Sequence, residues 1–159
     1  MHRPGSVAPA VAARAAAELP TIPAHVMPHR SAHELLALAR RGLIEAAETR
    51  SDGQRYATAH LAALRAAAAV LVSRARPTPA RRRRPTNVWA LLSAVAPELS
   101  QWADRFAAGA AKRSAAEAGL RVVSTVEADD LRADAERFVA VVELSLGLPH
   151  QPLITARAS

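Results

Sequence analysis

One stretch restricts the fold of this chain more than any other: YATAHLAALRAAAAVL, residues 56–71. Tyr56, His60, Ala63, Leu64, Ala67 and Leu71 recur at helical spacing, and Leu61, Ala68 and Val72 widen the stripe. Alanine supplies much of the chain's apolar content, here and elsewhere. Alanine lets helices approach closely but buries little area per residue, so a stable core needs several helices packed along long faces. The whole chain follows suit: half of its 159 residues are hydrophobic and only 3% are aromatic. That apolar content argues against disorder throughout and for one domain with flexible ends.

The remaining punctuation divides the chain into helices. Residues 1–30 have no sustained period and carry prolines at 4, 9, 20, 23 and 28, so a disordered N-terminal tail is expected. Its alanine-rich beginning, interrupted by Arg14, reads as tail and not as a signal peptide. Structure is expected from Ser31, where Ser31 and Glu34 have the spacing of a capping box. Leu35, Leu36, Leu38, Leu43 and Ile44 then mark a helix ending near Arg50, with a turn at 51–53. The second helix is expected from about Gln54 to Arg76, where Pro77 and Pro79 stop it. A third starts on Thr86 or Asn87. A bend is expected at Ala96–Pro97, before a helix whose face is Leu99, Trp102, Phe106 and Ala110. After a connector at 118–124, Ser124 and Glu127 form a second capping box. The last helix turns Leu131, Ala135, Phe138, Val139, Val142 and Leu146 inward, until Gly147 and Pro149 end it. No strand is evident. The prediction is an all-α, compact bundle of four to five antiparallel helices over residues 31–148, followed by a flexible C-terminal tail at 149–159.

Several chemistries are excluded or disfavoured. Without cysteine there can be no disulfide, thiolate metal site or cysteine nucleophile, which fits a reducing cytoplasm. No run approaches about 18 uninterrupted apolar residues, so no membrane span is expected. There is no glycine-rich phosphate loop or serine nucleophile motif, and nothing calls for a cofactor. His2, His25, His29 and His33 sit in or beside the expected tail, which seldom supplies the convergence that a metal site needs. Asp130 and Asp134 are one turn apart without a third acid or a histidine. They and their acidic neighbours favour the helix dipole, and Asp130 and Asp134 are expected to meet arginines of an adjacent helix. Trp89 and Trp102 are expected as core anchors, with a partner-binding groove as the alternative.

The formal charge is +7, carried almost wholly by arginine; Lys112 is the one lysine. Two explanations fit: a phosphate-bearing partner, or the arginine and alanine excess of a GC-rich genome. Arg81, Arg82, Arg83 and Arg84 lie between prolines in one loop. Such a run can bind RNA or DNA phosphate with strong salt dependence and little sequence preference, although no aromatic is interleaved to stack a base. A solvated loop is the alternative.

The order of helices over about residues 30–148, with YATAHLAALRAAAAVL on the second, resembles the HEPN superfamily (higher eukaryotes and prokaryotes nucleotide-binding domain), especially its small actinobacterial members. The resemblance implies a homodimer. It also implies, as one reading, a metal-independent endoribonuclease built on an arginine and a histidine four to six residues apart, a toxin held by an antitoxin-like partner protein. Arg55 and His60 have that spacing. In such a pair the histidine would move a proton at the ribose 2′-hydroxyl while the arginine holds the phosphate. Their helical positions point elsewhere. Five residues rotate the side chain by about 140°, which puts His60 in the apolar stripe and Arg55 on the polar, solvated side. The family motif usually opens a later helix, and a polar residue often follows its arginine, whereas here the motif is on the second helix and Tyr56 follows. A packed histidine bonded to a backbone carbonyl or a neighbouring side chain is therefore the first expectation. It implies a non-catalytic or cryptic module that binds nucleic acid or a partner protein, and the endoribonuclease is the alternative.

Overall fold

The computed structural model describes residues 21–23, 28–78 and 87–148. Among these, five α-helices and one short two-stranded sheet form the fold. Helix α1 spans Ala32–Glu48, and the Ser31 hydroxyl accepts from the Glu34 amide at 3.1 Å. Helix α2 spans Asp52–Arg74. It begins earlier than expected because the 51–53 turn signal is itself the helix start: Ser51 is the cap, and Asp52 lies in the first turn, where its charge suits the dipole. It also ends two residues earlier, since Pro77 biases Arg76 towards extended backbone.

Helix α3 spans Val88–Val95, with the Asn87 side chain accepting from Ala90 at 2.8 Å. Ala96 leaves helical geometry at φ −134°, and Pro97–Leu99 form one 3₁₀ turn with Pro97 in the first turn. Helix α4 spans Ser100–Glu117 and helix α5 spans Thr125–Ser145, which is introduced by a complete Ser124–Glu127 capping box. The bend expected at Ala96–Pro97 is thus present. Both α4 and α5 end in a left-handed glycine, Gly119 at φ 83° and Gly147 at φ 69°. The residue after each glycine bonds back five positions, Leu120 to Ala115 and Leu148 to Glu143, satisfying carbonyls that the helix end leaves free.

Helix α2 is the centre and touches the other four helices. Ala59, Ala62, Ala63, Ala66, Ala67 and Ala69 are all fully buried along it. Ala63 and Ala67 belong to the expected stripe, whereas Leu61, Leu64, Ala68 and Val72 are half-buried, because the neighbouring helices pack closest over the alanines. Cross-helix pairs give the directions. Asp52 and Arg55 meet Thr125 and Asp129, while Arg74 meets Ser145, so α2 and α5 run parallel. Lys112 pairs with Glu127 and Arg105 with Asp134, so α4 runs antiparallel to α5. Three residues join α1 to α2, which makes them an antiparallel hairpin. Helices α1 and α4 thus run against α2 and α5, and the all-α bundle expected from the periodicity is the fold. Phe106 is its aromatic hub, stacked on Trp89 at 5.2 Å and tilted against Phe138 at 5.3 Å.

The hydrophobic pattern predicts no strand. Thr21–Pro23 nevertheless pairs in parallel with Arg76–Thr78, and Ile22 is buried with Leu71, Ala75 and Val95. Three-residue strands containing proline leave no period-two signature, and their pairing spans more than fifty residues.

By length and composition, α2 alone among the described helices could cross a membrane; 56% of its apolar window is buried inside the bundle.

Candidate functional site

His60 lies wholly inside the protein. Its Nε2 is 2.8 Å from the Phe106 carbonyl oxygen. A carbonyl can only accept, so Nε2 carries the proton in the neutral ring. Nδ1 is then an acceptor, buried and without a hydrogen-bond partner among the described residues. Tyr56 stacks on the ring at 6.4 Å, while Trp89 and Phe106 meet its edges at 5.7 and 5.9 Å. Burial pushes the imidazole pKa below its ordinary value, and the Phe106 bond opposes that only in part. The approach to α4 depends on Gly109. A methyl there would stand 2.6 Å from the Tyr56 hydroxyl and 3.5 Å from the His60 ring. His60 is therefore a packed histidine bonded to a backbone carbonyl, as its place in the apolar stripe predicts.

Arg55 departs from expectation. Its helical position suggests a solvated side chain, but it is only 8% exposed. The start of α5 packs over the start of α2 and covers it. Its Nη2 donates to Asp52 Oδ1 at 2.6 Å, and Nη1 donates to the Thr49 and Arg50 carbonyls at 3.1 and 3.3 Å. Nε faces Asp129 Oδ1 at 3.0 Å, as an ion pair without hydrogen-bond alignment. Asp52 in turn accepts from the Thr125 hydroxyl at 2.9 Å; that bond and the Arg55 guanidinium hold its carboxyl below the usual range. Arg55 thus ties the end of α1, the start of α2 and the start of α5 together. It and His60 leave α2 in different directions towards different partners.

Asp134 meets Arg105 of α4 at 2.9 Å, as expected, while Asp130 makes no ion pair among the described residues and its neighbour Asp129 pairs with Arg55 of α2 instead. Trp89 is buried; Trp102 is half-buried, with the Arg105 guanidinium 5.6 Å above its ring. One bridge was missed. Glu143 is 2% exposed and takes a bidentate contact from Arg40 at 2.9 and 2.5 Å, linking α5 to α1. Its spacing of four from Val139 places it on the inward face, and that was the available signal.

Two clefts open on the surface. The larger, of about 890 Å³, lies where α1 ends, α2 begins and the 118–124 connector passes; Ala57, Leu61 and Leu120 contribute apolar surface and Glu45, Glu117 and Arg121 charge. The smaller, of about 310 Å³, separates α4 from α5 and includes Tyr56, Lys112, Glu127, Asp130 and Asp134. Among the described residues no three His, Cys, Asp or Glu side chains could hold a metal ion together.

Arg81, Arg82, Arg83 and Arg84 lie outside the described residues. Their weight shows in the charge balance. The described residues hold 14 Lys and Arg against 13 Asp and Glu, a net of +1, so 6 of the 7 formal charges belong to the rest of the chain.

In comparison with known proteins, the family model described as SAV_6107-like HEPN matches residues 46–143, from the last three residues of α1 through nearly all of α5. No curated protein and no solved structure matches the chain.

Proposed function

Given that this chain belongs to the SAV_6107-like HEPN family, we propose that it is a non-catalytic module that binds nucleic acid through the phosphates. The observation that carries this is the engagement of Arg55 and His60. One ring nitrogen of His60 is bonded to Phe106 and the other is buried, while the Arg55 guanidinium is spent on Asp52, Asp129 and two carbonyls. The unbonded His60 Nδ1 is enclosed and the Arg55 guanidinium is engaged, so neither side chain presents an accessible atom to a ribose or a phosphate. A general base must reach the proton it takes, directly or through one water, and a fully buried imidazole does not. The charge surplus outside the described bundle supports Arg81–Arg84 as the phosphate contact. Two copies joined as a homodimer would present two such runs and raise avidity without new contacts.

The test is a titration of labelled single-stranded RNA at several salt concentrations. Replacing Arg81, Arg82, Arg83 and Arg84 with glutamine should weaken binding. It should also lower the slope of log K against log salt by up to about 3, at roughly 0.7 per phosphate contact. The wild type should leave the RNA whole in EDTA. Equal binding by both proteins would refute the arginine contact. Cleavage in EDTA, abolished by Arg55→Ala and by His60→Ala in folded proteins, would replace the proposal with the toxin-like endoribonuclease and its antitoxin-like partner.

A further inference from the structure

Beyond that reading, we propose that the edge of Arg76–Thr78, with the pocket of Leu71, Ala75 and Val95, is a strand-docking site whose resident is the chain's own Thr21–Pro23. Three observations carry it. First, Ile22 is 1% exposed although it lies ten residues before the first helix, and it belongs to a hydrophobic cluster separate from the bundle core. Second, the backbone pairing is in register, Thr21 with Arg76, Ile22 with Pro77 and Pro23 with Thr78. Proline has no N–H, so Pro23 and Pro77 donate nothing, and a pair of three-residue strands makes only a few main-chain bonds. The buried Ile22 side chain adds an apolar anchor to those bonds. Third, no residue of the large α2 alanine core belongs to this cluster. Docking by one apolar side chain and a few main-chain bonds along a strand edge is the physics of strand addition, in which the edge gives affinity and the pocket gives selectivity. A unit held this way opens locally while the bundle stays folded, and opening uncovers Leu71, Ala75 and Val95. The site then accepts an extended segment with a β-branched apolar residue at the Ile22 position.

The experiment uses the full chain with Ile22→Asp and a labelled peptide of residues 17–27. The variant should keep its helical circular dichroism and a Tm within a few degrees of wild type. It should bind the peptide saturably and at least tenfold more tightly than wild type, whose own strand competes. A peptide with aspartate at the isoleucine position should not bind. As a second variant, Thr21→Cys with Arg76→Cys can be oxidised to lock the strand in place, since the chain has no other cysteine. The locked protein should show no peptide binding, and reduction should bring it back to the wild-type level. Loss of the helical fold in the Ile22→Asp protein, equal binding of the two peptides, or full binding by the locked protein would each overturn the proposal.

Discussion

His60 gives the sharpest test of how the bundle is held together. It is fully buried, bonded to Phe106 and wedged among Tyr56, Trp89 and Phe106. Truncation to alanine removes a ring's worth of packing and one buried hydrogen bond, and should cost roughly 2–4 kcal/mol. That is a large part of the ~5–15 kcal/mol typical of a domain. The effect should also depend on pH. Burial holds the folded pKa of His60 below its ordinary value. The unfolded chain therefore takes up a proton, near pH 6.5, before the folded chain does. The contribution is complete above about pH 6.5 and is lost as pH falls from there towards the folded pKa, at up to about 1.4 kcal/mol per unit. Urea melts at pH 7.5, 6.5 and 5.5 measure this directly. The wild type should weaken over that range, while His60→Phe, which keeps a ring but no titrating nitrogen, should lose most of the slope. A flat wild-type profile, or the same slope in both proteins, would refute the argument. So would a His60→Ala protein as stable as wild type.

Other substitutions probe the surrounding joints. Gly109→Ala gains up to about 1 kcal/mol of helix propensity but drives a methyl into the Tyr56 hydroxyl; a net loss of about 1–2 kcal/mol in urea melts is expected. Arg55→Ala should lower the thermal midpoint by several degrees through loss of the contacts to Thr49 and Arg50; its carboxylate partners are partly exposed and can rehydrate. Arg40→Met takes a bidentate cation from the buried Glu143 carboxylate and should cost about 3 kcal/mol by the same melts. Adding Glu143→Leu should recover most of that loss.

Much of this architecture is already legible in the chain. Capping residues at 31, 87 and 124 and breakers at 77, 97 and 147 locate most helix ends, because each acts on the few residues beside it, whereas the Ser51 cap reads as a turn and Gly119 lies unmarked in a connector. His60 sits at the right phase of the α2 stripe, so its burial follows from period alone. Arg55 does not. The same phase that explains His60 puts Arg55 on the polar side, and only the docking of α5 beside α2 closes over it and supplies Asp129. The Arg40–Glu143 bridge, the Gly109 contact with Tyr56 and the seat of Ile22 are likewise meetings of segments far apart in sequence. Periodicity and caps are local and can be read along one strand of text. Which polar side chains end up enclosed depends on how finished helices lie against one another, and that is decided only when water leaves the space between them.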